Sequence, residues 1–223
     1  MRSAAARAAI VAAVLAAVAG CRASAAPTSQ TTTTAATAGA TGSLPAGDKN
    51  APMPAPGTCH LGQQNGQPLP DPHCTPGATN PQVTQATIGD TICRSGWTKT
   101  VRPPVSVTNK MKAESARSYS LPTSEKGEYD HLVSLELGGA PDDPRNLWVE
   151  PGGIPNPKDA VENKLAEAIC SGLIPLATAQ AAIATNWTTA FDQAGLRVAG
   201  GKVCLRDQPS KCATGRHGDS TGE

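Results

Sequence analysis

The chain has 223 residues, with 19 Lys and Arg against 18 Asp and Glu, so a formal net charge of +1 points to no class of partner. Beyond an amino-terminal segment too short to cross a bilayer as a permanent helix, no stretch is apolar and long enough to span one, which argues against an integral membrane protein. Aromatic residues are scarce (one Phe, two Tyr and three Trp), so any core is small, built from Leu, Ile, Val and Ala, and in need of reinforcement.

In chain order, Arg2 and Arg7 precede an alanine- and valine-rich run, Ala8 to Ala19, the pattern of a signal peptide over residues 1–20. The run ends in Val18-Ala19-Gly20-Cys21, which resembles the bacterial lipobox. Cys21 is then the lipidation site and the protein is exported to the outer face of the cytoplasmic membrane or the cell envelope, attached by lipid alone. An ordinary secretory signal cleaved near Ala23 to Ala26 is the alternative. Residues 21–57 carry Thr, Ala, Ser, Gly and Pro with almost no large apolar side chain. They cannot bury enough surface to offset chain entropy and read as a disordered tether.

Residues 58–223 suit one domain, with its core expected at about 120–190. With Cys21 set apart, Cys59, Cys74, Cys93, Cys170, Cys204 and Cys212 remain, and an oxidising compartment favours pairing them. Fifteen connectivities are open to six cysteines. The expected set is Cys59 with Cys74, Cys93 with Cys170 and Cys204 with Cys212. Gly57 to Asn80 reads as irregular chain, and Val83 to Cys93 as a short helix or extended turn. Trp97 to Val107 has strand-like residues interrupted by Pro103 and Pro104, while Lys110 to Tyr119 can be helical. Arg94, Lys99, Arg102, Lys110, Lys112 and Arg117 face a single acid, Glu114, in a basic strip. Such a run is usually a solvated face.

Glu128 to Leu137 reads EYDHLVSLEL; Gly138-Gly139 and a turn-rich stretch follow, then Arg145-Asn146-Leu147-Trp148-Val149. A strand ending near His131, a loop and a second strand around Leu147 to Val149 are expected. Val161, Leu165 and Ile169 then recur every four residues, which predicts a helix from about Lys158 to Ile169. A second helix is expected from about Leu176 to Ala190. Trp148 and Trp187 read as core, and Asp142 and Asp143 as turn formers.

The string DHLVSLELGG, the later RNL and the helix bearing Lys158-Asp159 and Glu162-Asn163 resemble the HNH, or ββα-metal, endonuclease family. The chain is similar in particular to small secreted bacterial HNH-like proteins that share CTPG (Cys74 to Gly77), TIC (Thr91 to Cys93), GW (Gly96-Trp97), RPP (Arg102 to Pro104) and CSG (Cys170 to Gly172). The resemblance implies an α+β fold: a small ββα-metal core with additional packed helices and disulfide-braced irregular segments. It implies that His131 is the general base, since an imidazole titrates near neutrality, and that Asn146 holds the loop and orients it. Asp130 would bind one divalent cation, Mg²⁺ or Mn²⁺, as a hard oxygen ligand.

The family usually supplies His or Asn from the helix as a second ligand, and no histidine stands between His131 and His217. Asn163, with Asp159 one turn earlier, is the preferred pair, and Glu162 the next candidate. Arg102, Arg145 and Lys158 are candidates for substrate phosphate. The expected activity is metal-dependent hydrolysis of phosphodiesters in extracytoplasmic DNA, or RNA, by a monomer without sequence preference. The alternative is a catalytically inactive HNH-like lipoprotein that acts as a binding or structural module at the envelope. A reader of specific sequences is the least expected class, since no recognition helix rich in Arg, Asn and Gln is apparent.

Overall fold

The computed structural model describes residues 43–122 and 126–215. The signal peptide, Cys21, most of the tether and His217 lie outside the described residues. No helix among the described residues is long and apolar enough to cross a membrane.

The fold is α+β, with three two-stranded antiparallel sheets and several helices. Strands β1 (Gly62–Gln64) and β2 (Gln67–Leu69) form a short hairpin within the stretch expected to be irregular. Its turn places Asn65 and Gly66 at positive φ, the requirement of a tight two-residue connection. Helix α1 (Trp97–Val101) and helix α2 (Val105–Ser118) take up the strand-like stretch from Trp97 to Val107, and α2 includes most of the segment from Lys110 to Tyr119 expected to be helical. Pro103 and Pro104 are the cause: proline lacks an N–H and suits a helix start, where that donor has no intrahelical acceptor. The β-branched Val105 and Val107 that suggested a strand end up 70% and 43% exposed on the first turn of α2.

Strands β3 (Gly127–His131) and β4 (Leu147–Pro151) pair with Tyr129 opposite Val149, Asp130 opposite Trp148 and His131 opposite Leu147. Gly127 is required for this pairing, because a Cβ there would stand 2.2 Å from the Glu150 carbonyl oxygen. Helix α3 (Pro157–Cys170) follows directly. Its start is specified locally: Pro157 is its first residue, and Asn156 and Asp159 form a reciprocal capping box. Helix α4 (Leu176–Asn186) ends sooner than expected, passing through a tighter turn into α5 (Ala190–Gln193). Strands β5 (Leu196–Ala199) and β6 (Lys202–Leu205) close the domain as a hairpin that local patterning did not indicate.

The main core joins Leu165, Ala168 and Ile169 of α3 to Ala179 and Ile183 of α4, with Trp187, Leu196 and Val203. A second cluster holds Tyr119 and Trp148 against Cys59 and Cys74. Disulfides join Cys59 to Cys74, Cys93 to Cys170 and Cys204 to Cys212, the expected set. Three such bridges fit an oxidising, extracytoplasmic compartment.

Residues 43–57, assigned to the tether by composition, are bonded to the domain. Gly47 N–H donates to the Thr79 carbonyl at 2.7 Å and Gly57 N–H to that of Arg117 at 2.9 Å. Asp48 N–H donates to Asp143 Oδ2 at 2.7 Å. Backbone pairing, with Leu44 packed against the main core, holds this segment in place, and its overall composition gave little sign of it.

Candidate functional site at the hairpin and helix corner

Asp130 and His131 end β3, and the chain turns away at Leu132. Asn146, at the entry to β4, ties that turn together. Its Oδ1 accepts from Val133 N–H at 3.0 Å and Ala78 N–H at 3.3 Å, and its Nδ2 donates to the Val133 and Ala140 carbonyls, both at 2.9 Å. The side chain is fully buried, so each bond replaces one that water would otherwise make. Gly139 makes the closure possible, since a Cβ there would lie 1.6 Å from the Val133 carbonyl oxygen and 2.8 Å from Asn146 Nδ2.

This clamp determines the state of His131. The ring nitrogen Nε2 lies 2.9 Å from the Pro141 carbonyl oxygen, on the loop that Asn146 holds. A carbonyl oxygen can only accept, so Nε2 carries the proton and a neutral ring keeps its lone pair on Nδ1. His131 N–H donates to Asp130 Oδ1 at 2.7 Å, which fixes the neighbouring carboxylate.

Helix α3 turns a different pair toward Asp130 from the one expected. Asp159 Oδ2 accepts from Asn156 N–H at 3.0 Å as the capping box, and Asn163 Nδ2 donates to the Asp159 carbonyl at 2.7 Å. Lys158 and Glu162, displaced by one residue, face the strand. Lys158 is 0% exposed, and its ammonium donates to Asp130 Oδ2 at 2.5 Å, to the His131 carbonyl at 2.7 Å and to Glu162 Oε1. Those are the three protons an ammonium has. Burial by itself would lower the Lys158 pKa; Asp130, Glu162 and Glu150 outweigh it, and the group is held well above its ordinary value. It is a permanent cation.

Glu150 had drawn no attention in the sequence, although strand alternation puts it on the face of β4 shared with Trp148, the residue opposite Asp130. It is 2% exposed, and its Oε2 is buried with no hydrogen-bond partner among the described residues. Burial, and then the negative charge of Asp130, push its pKa up to about 9, so at neutral pH it is a protonated acid. The corner therefore holds Asp130, Glu150 and Glu162 about one buried ammonium.

The remaining candidates lie apart from it. Arg145 reaches Asp143 Oδ2 at 2.6 Å and the Ala46 carbonyl at 3.1 Å, so it braces the 43–57 segment. Asp143, expected to form a turn, is fully buried and also accepts from Arg145 N–H at 2.8 Å. Burial opposes its ionisation, but the bonds from Arg145 and Asp48 lower its pKa. Arg94, Lys99, Arg102, Lys110 and Arg117 of the basic strip are exposed, while Lys112 Nζ donates to the Gly127 carbonyl at 2.7 Å, at the start of β3.

As arranged, these residues do not fit a divalent cation. The Asp130 oxygen turned toward the helix is taken by an ammonium, and Asp159 and Asn163 are bonded to the backbone of the helix and its cap. Among the described residues no group of three or more His, Cys, Asp or Glu side chains is placed to hold a metal ion. No family model matches the chain, and neither the curated proteins nor the solved structures contain a match.

Proposed function

We propose that this domain is an HNH-like nuclease, a phosphodiesterase acting on DNA or RNA outside the cytoplasm, with His131 as the general base. The observation that carries this reading is the His131 ring, held by the Pro141 carbonyl on a loop that Asn146 clamps, at the end of a hairpin that abuts a helix start. A fixed imidazole can take the proton of an attacking water at neutral pH, and holding its orientation removes the cost of ordering it during reaction. Arg102 and its exposed neighbours offer charge for the phosphate backbone. Export with attachment through Cys21 completes the proposal: the mature chain fractionates with membranes, and Cys21→Ser releases it in soluble form.

The test is nicking of supercoiled plasmid and cleavage of single-stranded RNA by the full chain. The expected result is activity that His131→Ala lowers by about 100-fold or more with the thermal midpoint retained. Equal rates for the variant and the wild type refute the role of His131.

A second reading, a nucleic-acid or envelope-binding module without turnover, is favoured by one observation: Asp130 and His131 are only 1% and 3% exposed. A folded chain that binds nucleic acid in a salt-dependent manner but cuts neither DNA nor RNA is its signature.

A further inference from the structure

We infer that the Lys158 ammonium is a built-in replacement for the divalent cation of this corner, so that the wild-type chain takes no metal ion at Asp130. The inference rests on reading the corner as HNH-like, because only that reading leads one to expect a cation there.

Three features carry it. The first is position. Lys158 and Glu162 are separated by four residues on α3, and Lys158 bonds both Glu162 and Asp130 at the end of β3, whereas the neighbouring pair Asp159 and Asn163 bonds the helix cap and backbone. A ligand pair from the first turns of the helix would project from the Lys158 and Glu162 positions. One of these supplies the positive charge itself.

The second is completeness. The ammonium is 0% exposed and its protons are all assigned to Asp130, Glu162 and the His131 carbonyl. Burying a charge is tolerated when every bond it can make is made, and removing one partner of such a group is costly. A divalent ion could take this Asp130 oxygen only by displacing the buried ammonium already bonded to it.

The third is the surrounding oxygens. Asp130 and Glu162 both bond the lysine, and the buried Glu150, whose Oε2 has no hydrogen-bond partner among the described residues, adds negative charge to its surroundings. Hard oxygen donors about a single positive centre suit Mg²⁺ or Mn²⁺ once the ammonium is gone. With the ammonium gone, Asp130 and Glu162 would be left as two buried hard oxygen donors that an added divalent ion could bridge.

The experiment uses the full chain, stripped with chelator, and follows the thermal midpoint while Mn²⁺ or Mg²⁺ alone is added. The wild type is expected to show no rise that depends on Asp130. Lys158→Ala, destabilised in chelator, is expected to gain about 5 to 10 °C when the ion reaches a hundredfold excess over its dissociation constant. That gain should vanish in Lys158→Ala combined with Asp130→Asn. A wild-type rise abolished by Asp130→Asn overturns the inference, and this measurement does not depend on whether the Lys158 variant folds. A Lys158→Ala chain that no ion stabilises also counts against it.

The metal titration reads the site without reference to turnover. A chain that rejects Mn²⁺ and cuts no nucleic acid defeats the nuclease proposal and leaves this inference standing; one that cuts only with Mn²⁺ held at Asp130 does the reverse.

Discussion

The two ends of helix α3 are built on opposite principles. Toward its carboxyl end, Leu165, Ala168 and Ile169 enter an apolar core with Ala179, Ile183 and Trp187, where shape and area decide stability. At its amino end, the same helix face carries Lys158 and Glu162, locked to Asp130 in a network of directed charges. An apolar core loses stability in proportion to what is removed. A closed ionic network fails when one member goes, because the partners left behind are charged and dry.

The largest effect is expected where the network is opened. Asp130→Ala leaves the Lys158 ammonium with fewer acceptors and should cost about 3 to 5 kcal/mol in urea unfolding. A loss below about 1 kcal/mol would mean that water enters the corner and that the contrast between the two ends is false. Leu165→Ala, in the apolar half, should cost about 2 to 5 kcal/mol by transfer and cavity formation. It should leave the His131-dependent rate untouched. Asn146→Ala strands the Val133 and Ala140 carbonyls and should cost about 1 to 3 kcal/mol. Unlike Leu165→Ala, it should also lower the cleavage rate, since the loop positioning His131 loosens.

A smaller effect belongs to pH. Between the ordinary glutamate value of 4.5 and the folded value of about 9, Glu150 is protonated in the native state and ionised in the unfolded chain. The native state then binds more protons, so stability falls as pH rises through that window. Glu150→Gln removes the dependence: its midpoint should exceed that of the wild type at pH 8.5 and approach it near pH 5, as read by thermal melts across pH. The smallest change, Ile183→Val in the apolar half, should cost about 1 kcal/mol.

Much of the corner was legible from local signals. The end of β3 at His131, the Leu147 start of β4 and a helix from the Pro157 region follow from alternation, turn residues and a four-residue apolar repeat. The helix pair was harder. Asp159 and Asn163 look like ligands in a list of residue types, yet Lys158, Glu162, Leu165 and Ile169 form one buried line at spacings of four, three and four. Extending the apolar stripe backward would have found the charged pair. Strand alternation likewise pointed to Glu150, which nothing in its own chemistry marks as buried.

By itself the sequence determined what short-range physics can specify: the capping box at Asn156 and the proline starts of α2 and α3. Only the tertiary structure decided that residues 43–57 dock on the domain, that Arg145 serves Asp143 and Ala46, and that Lys158 stands where a cation was expected. Those outcomes depend on which distant groups share a dry space. Burial turns a lysine from a surface charge into the centre of a site, and burial is a property of the assembled fold.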